Sequence, residues 1–188
     1  MSGLDKVLRE NEKVLWSSKP ARIPFVVPHS LMVIAFGLFF MFVSVFILTM
    51  MMSQGAPFPF NLFPLLFFFV GFLVAFGEPI YMLMAYRNTE YMITDQRVII
   101  QTGAIGLDTR FVDLDKIQEV RVDVGVIDKI FGTGSVRIPT AGYAGYVYAG
   151  RRGYGGPRDF LGNSLAALKK PYEVQNILQE AIVKARRP

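Results

Sequence analysis

Four groups of residues in this chain have types and spacings that could do chemistry. Asp113-Leu114-Asp115 sets two carboxylates on alternate positions, which could offer oxygens to a calcium or magnesium ion. A calcium cage needs roughly six to eight oxygens, so a pair alone is a weak signal. Gly132-Thr133-Gly134-Ser135 has the small residues of a phosphate loop. It lacks the Lys-Ser/Thr pair that holds phosphate, because Ser135-Val136-Arg137 follows and opens a strand. His29 and Glu78 stand in or beside long apolar runs, where ionisable groups can serve proton or ion paths. The fourth group is residues 142–156, GYAGYVYAGRRGYGG, with six glycines, four tyrosines, two adjacent arginines and no acid. Tyrosine can stack on a base and arginine can meet a phosphate, whether of nucleic acid or of a lipid headgroup.

Composition removes most catalytic readings. There is no cysteine, so no thiolate, and one histidine, His29, which leaves almost no material for a Ser/His/Asp triad or a histidine metal centre. The acids Asp95, Asp108, Asp113, Asp115, Glu119, Asp123 and Asp128 fall mostly in turns or on the outward positions of strands, which reads as a solvated face. The expectation is a protein that is not an enzyme and carries neither cofactor nor metal.

The elements that must position these groups are of two kinds. Of 17 phenylalanines, 14 lie between Phe25 and Phe76. Residues 31–52 run for 22 positions without a charge, and a helix of that length reaches roughly 33 Å, enough to cross a hydrocarbon core of about 30 Å. Residues 62–84 form a second run with Glu78 its one charge, and SQGAPFPFN between them allows only a tight reversal. Lipid requires the backbone to bond to itself, so two paired helices are expected over residues 28–86. Gly37, Gly71, Ala75 and Gly77 could admit close helix contacts. Lys6, Arg9, Lys13, Lys19 and Arg22 precede the first run, Arg87, Arg97 and Arg110 follow the second, and the connecting loop has none. That asymmetry places both termini in the cytoplasm of a multi-pass plasma-membrane protein. Glu78 precedes Pro79 near the cytoplasmic end of its span, where it could reach the interface or pair with His29.

Residues 1–27 hold Leu4, Val7 and Leu8 at helical spacing among charges. Either a short amphipathic helix on the membrane surface or docking against the C-terminal domain would satisfy them. From residue 87 to 188 the apolar pattern becomes alternating. Tyr91 and Ile93, then Val98 and Ile100, flank the polar turn at residues 94–97, and Val120, Val122 and Val124 alternate with Arg121 and Asp123. Val136 and Ile138 repeat the alternation. Residues 171–186 place Val174, Ile177, Leu178, Ala181 and Ile182 on one stripe after Pro171, which predicts a C-terminal amphipathic helix.

The order Tyr91-Met92-Ile93-Thr94, Arg97-Val98-Ile99, Gly103, Leu114, Ile117, Val120-x-Val122 and Phe131-Gly132-Thr133-Gly134-x-Val136 resembles the bacterial pleckstrin-homology-like domain of YdbS-like membrane proteins. Glu12-x-Val14-Leu15 ahead of two spans is similar to the same family. The resemblance implies an α+β membrane protein, with a two-helix transmembrane hairpin and a PH-like antiparallel β-barrel capped by a C-terminal helix. It implies no reaction.

Binding is then the expected role. The segment from residue 87 onward holds 15 Lys+Arg against 11 Asp+Glu, with Arg151, Arg152 and Arg158 concentrated in the loop at 142–158. Two adjacent arginines in an otherwise balanced domain fall short of the continuous basic surface of nucleic-acid binders, so no nucleic acid is expected. Tyr146, Tyr148, Arg151, Arg152, Tyr154 and Arg158 are the expected contact residues. The preferred role is an accessory or scaffold subunit that meets other membrane subunits or copies of itself, and the alternative is a binder of anionic lipid headgroups.

Overall fold

The computed structural model describes residues 4, 7–55, 57, 59–139 and 163–186, apart from the side chains of His29 and Asn61. The chain divides into two compact units, Val26–Leu83 by itself and Met1–Phe25 together with Met84–Pro188.

The first unit is built on two helices, α1 (Arg22–Ser53) and α2 (Phe63–Asn88), joined through a short 3-10 turn at Phe60–Leu62. Both are apolar on every side, so neither has the one-sided stripe of a helix lying on a protein core. Their most apolar stretches are only 11% and 17% buried, and both helices are long and apolar enough to cross a membrane. The hydroxyls in α1 bond back to their own helix: Ser44 to the Phe40 carbonyl at 2.7 Å, Thr49 to Phe46 and Ser53 to Met50, each at 2.8 Å. The helices meet where side chains are smallest. A Cβ on Gly37 would lie 2.7 Å from the Ala75 Cβ and from the Gly71 carbonyl oxygen. Gly71 and Ala75 therefore fill the role expected of them, whereas a Cβ on Gly77 would meet nothing within 4 Å.

The described residues of the second unit form seven strands and two further helices. A four-stranded antiparallel sheet has the order β1 (Val14–Ser18), β2 (Glu90–Thr94), β3 (Arg97–Thr102), β4 (Asp108–Asp113). A second antiparallel sheet has the order β5 (Arg121–Asp123), β6 (Thr133–Arg137), β7 (Ser164–Lys169). Helix α3 (Val126–Phe131) lies between β5 and β6 in sequence, and α4 (Pro171–Ala185) closes the described chain. Pro171 stands in the first turn of α4, and Val174, Leu178, Ala181 and Ile182 are its buried stripe. Those four join Tyr91, Ile93, Val98, Ile100, Val112, Val136, Leu165 and Leu168 in one core shared by both sheets.

The expected closed barrel is not what forms among the described residues. Strands β4 and β5 do not pair, because the chain between them turns through a 3-10 segment at Leu114–Lys116 and β5 is only three residues long. At the other edge a single backbone bond, Ala21 N–H to the Ala167 carbonyl at 2.7 Å, reaches β7 without a ladder. The two sheets are held instead by shared side chains and by Tyr91, whose hydroxyl accepts the Ala166 N–H at 3.2 Å across the gap. Burial pushes that hydroxyl's pKa far above its ordinary value, so it stays neutral. Tyr91→Phe keeps the ring and strands that N–H, and is expected to lower unfolding stability by about 1 kcal/mol in a denaturant titration.

Of the two arrangements open to the N-terminal segment, docking against the C-terminal domain is the one that forms. Leu4 is fully buried with Met92 and Ile99, with Leu8 beside them, and Val14–Ser18 pairs with β2 as an edge strand. Side chains that would face lipid in a surface helix are used to cover the outer side of β2 and β3.

Candidate functional site

The polar centre of the second unit is a clasp between the N-terminal segment and the β2–β3 turn. Arg97 reaches both oxygens of Glu12, Nε to Oε1 and Nη2 to Oε2, each at 2.9 Å. Thr94 donates its hydroxyl to Glu12 at 2.8 Å, and the Arg9 N–H adds a bond at 2.7 Å. Arg97 also donates to the Val7 carbonyl at 3.0 Å, and its guanidinium lies 4.5 Å from the centre of the Phe111 ring. Burial tends to raise the Glu12 pKa, but the bonds from Arg97, Arg9 and Thr94 outweigh it and hold the carboxyl below its usual range. Lys13 and Asp95 close the clasp reciprocally, each N–H bonding to the other residue at 3.0 Å. Each buried charge is matched, so the clasp positions β1 and offers no free acid or base for chemistry.

Helix α3 is inverted. Its Asp128 is 8% exposed, while Val126, Ile130 and Phe131 are 70%, 73% and 47% exposed. The inward turn of Asp128 has a local cause. Its carboxylate accepts the Gly125 N–H at 3.1 Å and the Thr133 hydroxyl at 2.7 Å, capping the helix start and tying it to β6. Gly132 ends the helix in the left-handed conformation at φ 63°, so the Gly-Thr-Gly motif is a helix stop and a strand start. Asp128 is thus the exception to the solvated-acid expectation, and its inward turn leaves α3 presenting apolar side chains outward.

The remaining candidates fall as follows. Tyr146, Tyr148, Arg151, Arg152, Tyr154 and Arg158 lie outside the described residues. Glu78 is in α2, and its Oε2 is buried with no hydrogen-bond partner among the described residues, as is Ser30 Oγ in α1. His29 is in α1, and its side chain lies outside the described residues. Asp113 accepts a bond from Lys116 Nζ at 2.7 Å, which draws its carboxyl below the usual range. Among the described residues no group of three or more metal-ligating side chains comes together.

A family model described as "Bacterial PH domain" matches residues 30–181. The chain belongs to that family. The match covers α1 from residue 30, all of α2 and every described strand except β1, which with Glu12 precedes it although the fold makes β1 part of the first sheet. No curated protein and no solved structure matches the chain. PH-like domains are generally non-catalytic binding modules and commonly bind lipids or proteins.

Proposed function

We propose that this bacterial PH domain protein is a membrane-anchored interaction module that serves as an accessory or scaffold subunit, docking onto a larger membrane assembly or onto copies of itself. Helices α1 and α2 are its transmembrane anchor, with both termini cytoplasmic. The observation that carries the reading is the inverted face of α3. Three large apolar side chains project from a helix fixed at both ends, on a unit whose core is already filled. The residues expected to make contacts in the 142–158 loop are a second proposed point of contact, outside the described residues.

Pairing of surface charges lowers the pull of an anionic leaflet on part of the second unit, while Lys129, Lys169 and Lys184 are exposed and outside the ion pairs. Arg110, Lys116, Arg121, Arg137 and Lys170 each sit against an acid, respectively Asp108, Asp113, Glu119, Asp123 and Glu173. Locally neutralised cations add little attraction to an anionic leaflet. The full chain extracted in mild detergent is expected to run as a complex of more than one chain, by native mass measurement. Ile130→Asp is expected to dissociate it while leaving the fold intact, since Ile130 is 73% exposed. A wild-type mass equal to one chain would overturn the assembly reading.

A further inference from the structure

We infer that the β3–β4 loop, residues 103–107, is a second membrane contact, with Ile105 and Leu107 immersed in the lipid interface beside the exit of α2. The inference rests on the proposed membrane anchoring by α1 and α2. The loop reads Gly-Ala-Ile-Gly-Leu, without a charge. Ile105 is 91% exposed and Leu107 66% exposed, while Ala104 between Gly103 and Ile105 is buried. The shape is fixed from within. Gly103 has φ +144°, and a Cβ there would run into the Gly106 carbonyl oxygen at 1.8 Å. The loop is therefore a tight, built turn that displays its apolar tip, uncovered by any described side chain.

Its position identifies the occupant. The Asn88 side-chain amide donates to the Gly103 carbonyl at 3.0 Å and lies 3.5 Å from that of Ala104, and Gln101 bonds back to the Asn88 carbonyl at 3.4 Å. Asn88 is the last residue of α2, one position after the exposed Arg87. A span ending in arginine and asparagine emerges at the headgroup layer, so a loop bonded to Asn88 lies at that depth. Bulky apolar side chains at that depth gain by entering the acyl boundary, as the apolar faces of interfacial helices do.

The absence of cysteine makes the test direct. Ile105→Cys and Phe42→Cys variants of the full chain, each labelled with an environment-sensitive fluorophore, are reconstituted in liposomes containing spin-labelled lipids. The probe at 105 is expected to emit at shorter wavelength than in water. It should be quenched by lipids labelled near the headgroup end of the chain and spared by those labelled near the tail end. The probe at 42, mid-way along the apolar stretch Ser30–Ser53 of α1, should be quenched by the deeper label. A water-like spectrum at 105 with lipid quenching at 42 overturns the loop contact and leaves the anchoring intact. A blue-shifted probe at 105 that no lipid quenches overturns it in favour of a protein cover. Loss of lipid quenching at both positions sinks the anchoring and the loop contact together.

Discussion

Replacing Glu12 by Gln is expected to lower the unfolding stability of the β-rich unit by about 3–5 kcal/mol, the usual cost of removing one partner from a buried ion pair. Glutamine keeps the shape and one carbonyl acceptor, but it takes away the carboxylate with which the Arg97 guanidinium, 5% exposed, is paired. The loss should appear first at β1. Trp16, the one tryptophan in the chain, lies on that strand and packs on the shared core, so its emission should shift to longer wavelength before the main unfolding transition. Arg97→Met alone would leave the Glu12 carboxylate buried and unpaired, with a similar effect. The double variant should cost less than the sum of the two, because it removes both charges together. Additive losses would show that the clasp is not an energetic unit.

The same pair sets the pH response. The Glu12 carboxyl binds its proton less readily folded than unfolded, so it adds stability above its unfolded pKa of about 4.3. That contribution falls as pH drops through the lower folded value. Wild-type stability should therefore decline with a steeper slope below about pH 5 than that of Glu12→Gln, measured by denaturant unfolding across the range. Asp113 shifts in the same direction through its bond to Lys116. That pair is exposed and screened, so its share is small.

Gly37→Leu should have the second large effect, this time in the helical unit. At Gly37 even a methyl group would sit 2.7 Å from the Ala75 backbone nitrogen, and atoms of a packed backbone cannot retreat as a flexible side chain can. Leucine adds three more carbons at the same place. The helices must separate, at a cost above the roughly 1–3 kcal/mol usual for an overpacked core. Thermal unfolding in detergent, followed by circular dichroism, should show a lowered transition for Gly37→Leu and a smaller drop for Gly37→Ala. Gly77→Ala is the internal control. Its Cβ meets nothing, and alanine is the better helix former, so no loss is expected. Equal losses at 37 and 77 would refute a close backbone contact.

How legible these features are in the sequence depends on how local their causes are. The two long helices follow from uninterrupted apolar runs, and α4 from a stripe at helical spacing after Pro171; both causes lie within the element itself. The β2–β3 hairpin is announced by the polar turn between Tyr91-x-Ile93 and Val98-x-Ile100. Strand β7 gives no such signal. Its Ser-Leu-Ala-Ala-Leu-Lys lacks strict alternation, since Ala167 takes φ +52° and the register shifts opposite Gly134 and Val136. Strand β1 also carries an irregularity between Val14 and Trp16, which masks its alternation. In α3 the apolar residues are visible in the sequence, but their outward direction is not. It is set by Asp128 turning in to cap Gly125 and bond Thr133.

By itself the sequence determined the two apolar helices, the antiparallel character of the following segment, its C-terminal helix, the poverty of catalytic groups and the family. Only the tertiary structure decided that the described strands lie in two separate sheets and that Val14–Ser18 is a strand of the first of them. It alone joined Glu12 to Arg97, 85 positions apart in the chain. Periodicity and propensity act over one or two turns and report which face of an element is apolar. A buried ion pair, a sheet edge left unpaired or a polar cap turned inward depends on which distant segments meet. That meeting is settled by the shared core, where two sheets and a helix compete for the same apolar surface.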